Sequence, residues 1–425
     1  MDLSLRTLAY AGVFALFLYQ LGAGALGMKD RHTSLRPFQL FLFLLFLSSE
    51  LSRSFFPLFA KTLSHGPADR TFGAALPQVV WGLSALLGTP VGWLVAKRIG
   101  YRNALLGSAL MTAGALALTA ASDNYCVMLA CRALASASYG LVNIVAVMYL
   151  AERGINAKNV AVLLAAVAIS SICGNSIGGL LVSSLSYAQM FWLSAASAVA
   201  AAVVLHFSFP AGGSVAARRK VSYAHLLRNW KIQLFAVLNT MPYRFVLTGF
   251  VLYLVPVMLT EHHVAQAVIG QIMMLYFLIN YLLVKPVAAL LDSFGSYRTV
   301  ALASTAITGV GLVLFAHAQG SMLTMLSATV LIAVGMSLNS SIQVPIVPIV
   351  FKRECSQYGA DSLLAYFRTI ERVGSVAGPL LTAVVYKAWP EVAPAVIGWA
   401  IVVTTGLLGV LFVANERPTG SPVGV

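Results

Sequence analysis

Apolar runs of helical length follow one another along almost the whole chain, separated by short polar or glycine-containing connections. Thirteen runs stand out, at 7–28, 37–62, 75–96, 103–122, 125–150, 159–184, 188–209, 232–260, 265–287, 299–317, 321–350, 359–386 and 394–414. Each is long enough to cross a hydrocarbon core of about 30 Å as a helix. In lipid, only helices and closed barrels satisfy every backbone polar group internally. Barrel strands would read as segments of roughly ten residues with alternating polarity, which is not the pattern here. The runs predict an all-α membrane protein.

Composition agrees. Hydrophobic residues make up 59% of the chain and charged residues 9%, with a mean hydropathy of +0.86. That leaves too little charge to cover the surface of a water-soluble domain. The formal charge of +14 raises the question of nucleic acid, and the placement of the basic residues answers it. With thirteen spans the connections alternate sides, and seventeen of the 27 Lys and Arg fall on one side, against Arg6, Lys61, Arg70 and Lys387 on the other. This is the positive-inside asymmetry. It predicts a multi-pass protein of the inner or plasma membrane, with its N-terminus outside and its C-terminus cytoplasmic, and no nucleic-acid partner. The first run, with Arg6 before it and Gly22-Ala-Gly-Ala25 at its end, has the look of a cleaved signal peptide. Cleavage would invert every later loop, so 7–28 is read as a retained helix. An outward N-terminus leaves room for an outer domain or partner there.

Some patterns carry no chemistry. Cys126, Cys131, Cys173 and Cys355 lack metal-type spacing and read as small apolar residues or free thiols. Gly174-Asn-Ser176-Ile-Gly178 fits a hydrolase nucleophile pattern but lies inside an apolar helix rather than a strand-turn-helix elbow. Glu261-His262-His263 reads as a solvated outer loop, and the chain has no phosphate-binding glycine loop followed by Lys-Ser/Thr. Neither a cofactor, a metal nor an enzymatic activity is expected.

The chain repeats itself. Beyond the first helix and its loop (1–36), the basic segment 210–231 divides six spans (37–209) from six more and a short tail (232–425). At an offset of about 195 residues, Pro90-Val-Gly-Trp-Leu-Val-Ala-Lys-Arg-Ile-Gly100-Tyr-Arg102 is echoed by Pro286-Val-Ala-Ala-Leu-Leu-Asp292-Ser-Phe-Gly295-Ser-Tyr-Arg298. Repeated halves of this kind are a layout of many secondary transporters. On these residues the chain resembles the major facilitator superfamily over 37–415. The family's signature between its second and third helices, roughly Gly-x-Leu-Ala-Asp-Arg-x-Gly-Arg-Lys, is matched at Arg98, Gly100 and Arg102, with Lys97 where the family has aspartate. The second half keeps the acid as Asp292, with Gly295 and Arg298 beyond it. Gly174 to Gly179 and Gly374-Ser-Val-Ala-Gly378-Pro379 look like the family's glycine-rich packing motif. The resemblance implies two pseudo-symmetric six-helix bundles plus one additional N-terminal helix, and an inner-loop gating role for Arg98, Gly100, Arg102, Asp292, Gly295 and Arg298.

The candidate chemistry lies in the charges inside spans: Glu50, Arg53, Arg132, Arg244, Arg368, Glu371 and Arg372. Counted from span ends, they all fall ~14 to ~24 Å from the inner boundary. Facing lipid, seven such charges would cost on the order of 20 kcal/mol, so they are expected to face a shared interior. Glu50 with Arg132 and Glu371 with Arg368 could pair simply to clamp helices. Five arginines against two glutamates nevertheless leave a net +3, which calls for an anion or water. The expected function is secondary transport, by alternating access, of a small organic anion or zwitterion bearing a carboxylate or phosphate. Arg244, Arg368 and Arg372 are its main contacts, through planar guanidinium forks, with Arg53 and Tyr243 beside them. Glu50 is the expected carrier of a coupling proton and Glu371 the reserve; Arg132 resembles the fourth-helix arginine of the family's proton-coupled antiporters. Prolines 242, 345 and 348 are expected to loosen their spans. Two alternatives share the fold: a membrane-embedded sensor or anchor for an outer domain, and a lipid or amphiphile exporter or flippase.

Overall fold

A computed structural model describes residues 3–27, 35–64, 69–152, 157–208, 224–318, 321–343 and 345–416. Every regular element among them is a helix. In order they are α1 (Leu3–Gly27), α2 (Arg36–Glu50), α3 (Phe56–Leu63), α4 (Asp69–Ala120), α5 (Tyr125–Glu152), α6 (Ala157–Leu181), α7 (Tyr187–Ser208), α8 (Ala224–Arg228), α9 (Trp230–Phe235), α10 (Met241–Phe245), α11 (Val255–Glu261), α12 (Gln266–Phe294), α13 (Tyr297–Ala316), α14 (Met322–Ile342), α15 (Ile346–Val350), α16 (Lys352–Tyr358), α17 (Ala360–Ala388) and α18 (Ala393–Glu416). Nine helical stretches among the described residues are long and apolar enough to cross a membrane. One of them, within α4, is 50 residues long and holds two of the expected spans. The broken α2–α3 segment, α6 and the charge-bearing α17 account for the rest of the thirteen.

Three of the expected spans depart from plain helices, each for a local reason. The run 37–62 breaks at 51–55. Pro57 has no N–H for the carbonyl of Arg53 and its ring crowds that carbonyl, so the chain turns through shorter bonds such as Arg53 N–H to Glu50 O before α3 starts. The run 321–350 is interrupted between α14 and α15, where Pro345 lies just ahead of α15 and Pro348 falls within that short helix. Most unusually, the run 232–260 switches twice to π-helix, at Ala236–Thr240 and Val246–Leu254, on either side of α10. Such segments concentrate at functional sites.

The repeated turn has a shared backbone basis. Gly100 (φ 80°) and Gly295 (φ 66°) both take the left-handed conformation, which costs a residue with a Cβ and costs glycine nothing. Gly100 bends α4 where two spans meet, and Gly295 separates α12 from α13. The linker expected at 210–231 lies outside the described residues up to position 223.

The chain forms two compact units. Unit 1 holds residues 1–218 together with 248–278 and 375–383. One of its cores is aromatic, with Phe191 edge to face against Phe55 and Phe56 and tilted against Phe59. The segment 248–278 is fastened into this unit by an ion pair from Lys61 to Glu261 at 2.6 Å. The Tyr253 hydroxyl also donates to the Thr71 carbonyl at 3.0 Å. α1 packs on α2 through the Phe17–Phe43 ring pair at 5.8 Å and presents Phe14, Leu18, Tyr19 and Leu26 outward. Unit 2 holds 219–247, 279–374 and 384–425, around a core that includes Phe235, Phe351, Phe367 and Phe412.

Candidate functional site

The seven expected charges fall into two groups, one in each unit. In unit 1, α2 ends at Glu50 and the turn that follows carries Arg53, so the helix break itself presents both side chains. They form an ion pair, Arg53 Nη2 to Glu50 Oε1, at 3.0 Å. The other carboxylate oxygen accepts from Asn175 Nδ2 at 3.3 Å. α6 comes this close because it is glycine there. A Cβ at Gly174 would meet Glu50 Cβ at 2.5 Å, and one at Gly178 would meet the Leu51 carbonyl oxygen at 2.0 Å. The glycine-rich motif therefore packs α6 against the break that holds the charges.

Arg132, on α5, does not pair directly with Glu50. Its guanidinium lies over two aromatic rings, 4.0 Å from the centroid of Phe56 and 4.2 Å from that of Trp81. The Arg53 guanidinium sits 5.2 Å from the same Trp81 ring. Arg132 is 3% exposed, Arg53 8% and Glu50 4%. A desolvated cation–π contact is worth about 2 kcal/mol, less than the several kcal/mol it costs to bury one ion, so stacking alone leaves Arg132 incompletely compensated. Trp81 and Phe56 were not legible as partners of Arg132. Trp81 lies 51 positions away along the chain, and its sole sequence cue is a tryptophan in mid-span, where tryptophan more commonly marks an interface.

The unit 2 group is built on α10 and α17. Gly374 lets the two approach, since a Cβ there would meet the Met241 carbonyl oxygen at 2.5 Å and Arg244 Cβ at 3.3 Å. One turn earlier, Glu371 is 2% exposed and holds two arginines. Arg244 Nε pairs with its Oε1 and Arg368 Nη1 with its Oε2 at 2.8 Å. Arg372 lies within electrostatic reach of the same carboxylate. Two guanidiniums therefore contact one carboxylate, with a third nearby. They differ in access: the Arg368 side chain is 56% exposed and that of Arg244 26%.

A chain of neutral polar groups continues from the charges. Arg368 Nη1 reaches Gln343 Oε1 at 3.5 Å, Gln343 donates to Asn339 Oδ1 at 3.0 Å, and Asn339 donates to Ser304 Oγ at 3.3 Å. Tyr243 stacks under Arg244 at 5.6 Å and its hydroxyl meets Ser340 Oγ at 3.5 Å. Ser340 is an addition to the residues singled out from sequence. A serine in an apolar helix carries no mark of its partner.

Two of the inner-loop residues have definite contacts. Arg102 Nη2 donates to the His206 carbonyl oxygen at 2.8 Å, placing a cation at the C-terminal end of α7, where the helix dipole favours it. Arg298 sits 5.9 Å from the Phe412 ring. Arg98 is exposed, beside Lys97, which stacks on Trp93 at 5.6 Å. The side chain of Asp292 lies outside the described residues.

Two segments, 40–241 and 234–424, match the sequence profile of the Major Facilitator Superfamily, so the match begins beyond α1 and covers nearly everything after it. The chain belongs to the Major Facilitator Superfamily. Its fold is that family's two-halved helical fold, and it is a multi-pass membrane protein of this type. No curated protein sequence matches it. Among solved structures, the nucleoside transporter NupG superposes with a TM-score of 0.65 at 16% identity, over 89% of this chain and 98% of that one. A D-xylose-proton symporter gives 0.69 at 12% identity, over 90% and 97%. The human organic anion transporter TETRAN gives 0.57 at 14% identity, over 91% and 99%. At these identities the likeness is one of fold, and the chemistry of this superfamily member has to come from its own residues.

Proposed function

We propose that this superfamily member is a secondary transporter that moves a small organic anion or zwitterion across the inner or plasma membrane by alternating access, coupled to protons. The observation that carries the substrate class is the pair of arginines held by one buried acid, with Arg372 close by. Glu371 neutralises one positive charge and orients two guanidiniums, leaving Arg368 half in the open with donors available to a solute. A carboxylate or phosphate matches such a fork in two-point geometry. Tyr243, Gln343 and Asn339 then offer neutral hydrogen-bonding groups for the remainder of the molecule. The organic anion and proton-coupled carriers among the fold relatives are compatible with this reading.

Glu50 is the proposed proton carrier. It is buried, held by Arg53 and Asn175, and lies where a helix break allows its surroundings to change. Protonating it would release Arg53, and deprotonating it would restore the pair. Glu371 is the less suited of the two, because it already serves two arginines. In the proposed orientation the N-terminus is outside and the basic connections are cytoplasmic.

The test is uptake by the purified protein in liposomes under an imposed pH gradient, with a panel of carboxylates, phosphate esters, amines and neutral solutes. Gradient-driven uptake of a carboxylate or phosphate ester is expected. Arg368→Ala and Arg372→Ala should each lower it at least tenfold, while Glu50→Gln should abolish the response to the gradient. Full uptake by the Arg244→Ala, Arg368→Ala, Arg372→Ala triple variant would falsify the assignment.

A further inference from the structure

We propose that unit 1 also holds a buried site for a small inorganic anion of chloride size, on the Nε–Nη2 edge of Arg132. The geometry leaves that edge as the one unsatisfied surface of the side chain that is fully enclosed. The guanidinium carbon lies over two aromatic rings, 4.0 Å from the centroid of Phe56 and 4.2 Å from that of Trp81. Nε and Nη2 are neighbouring donors that point the same way, the arrangement with which arginine receives a two-point acceptor. Both are buried and have no hydrogen-bond partner among the described residues.

Charge gives a second, independent argument. Glu50 is already used, by Arg53 Nη2 at 3.0 Å and Asn175 Nδ2 at 3.3 Å. One carboxylate therefore faces two buried guanidiniums but pairs with only one of them, which leaves the charge of Arg132 without a paired counterion among the described residues. Arginine does not shed its proton in proteins, so an anion is the remaining means of neutralising it. Further unsatisfied groups lie in the same segments: Arg53 Nε, the Ser54 hydroxyl next to it, and the Ser176 hydroxyl next to Asn175 are all buried without a partner among the described residues.

Enclosure sets the size. With Arg132 3% exposed and Arg53 8%, a solute with a carbon body of its own has no path to this edge, whereas a monoatomic halide accepts both N–H groups from one point. The site shares no residue with the Arg244–Glu371–Arg368 group, so it stands or falls separately from the transported substrate.

The experiment is thermal unfolding of the purified full chain in detergent, titrated with sodium chloride, bromide or gluconate at constant ionic strength. An ion that binds only the folded state raises the midpoint in a saturable way. The expected result is a saturable rise of a few degrees in chloride and bromide but not in gluconate, with apparent affinity at least tenfold weaker in Arg132→Lys, which keeps the charge and loses the fork. Equal midpoints in chloride and gluconate overturn the proposal, as does a chloride effect undiminished in Arg132→Lys. Should that variant fail to fold, iodide quenching of tryptophan fluorescence decides between the same two outcomes. A saturable component lost in Trp81→Phe supports the site, and quenching identical to that of the unsubstituted protein removes it.

Discussion

Glu371 and Arg368 touch each other, yet the physical cost of losing either is different. Glu371 is 2% exposed and answers two guanidiniums, so its removal takes the carboxylate from both at once, one of them (Arg244) only 26% exposed. A fully buried pair broken in this way costs about 3–5 kcal/mol; with its arginines partly open to solvent, Glu371→Gln is expected to lower the unfolding midpoint by less than that but clearly. The Arg368 side chain is 56% exposed, and an ion pair that open to solvent contributes roughly 0–1 kcal/mol. Arg368→Ala should therefore leave the melting curve nearly unchanged. If it also leaves solute recognition unchanged, Arg368 has neither role. The locations of these charges were legible in the sequence because charge in an apolar span is costly and therefore conspicuous. Their pairing was not. Arg244 and Glu371 are separated by 127 positions, and whether they meet depends on how α10 and α17 are rotated, which hydropathy does not encode. For the same reason the sequence did not tell that Glu50 meets Arg53 while Arg132 rests on aromatic rings.

At the scale of elements, the glycines of α6 decide how closely it meets the α2–α3 break. A valine at position 178 would place its Cβ 2.0 Å from the Leu51 carbonyl oxygen, a contact that only a backbone shift relieves. Gly178→Val should fail to fold or melt far lower, whereas Gly107→Ala, at a position with open space around it, should behave like the unsubstituted protein. Comparable melting of the two variants would show that the close approach of α6 has been misread. Helices were readable wherever an apolar run exceeded bilayer thickness, and the repeated Gly100 and Gly295 turns were readable because glycine is needed for their backbone. The break at 51–55 escaped notice although Pro57 was in view, since hydropathy stays high through Phe55 and Phe56. The π-helical stretches beside Arg244 were invisible for a related reason. A run apolar all round has no stripe whose period could distinguish 3.6 residues per turn from a wider winding.

For the whole molecule, the repeat, the spans and the superfamily follow from one consistent pattern. Membrane orientation rests on the distribution of lysine and arginine. It predicts that Asp123→Cys, in the 121–124 turn, reacts with a membrane-impermeant thiol reagent in intact cells, while the native Cys355 reacts only after permeabilisation. The reverse pattern would invert the proposed topology. The compact units were not foreseen from sequence: 248–278 and 375–383 belong to the second half of the chain yet pack within unit 1. Such a regrouping depends on contacts between distant segments, for example Lys61 with Glu261, and no local pattern announces them.

In the proposed mechanism the excess of arginine over acid recognises a carboxylate or phosphate on a solute that is then carried across. Counterflow measures this most directly: liposomes loaded with an unlabelled organic anion and containing the purified protein are diluted into a trace of the same anion carrying a radiolabel. Transient accumulation of label inside is expected, lost in the triple variant of Arg244, Arg368 and Arg372 and absent with a neutral analogue of the same size. Accumulation of the neutral analogue to the same extent, or accumulation that survives removal of all three arginines, would contradict it.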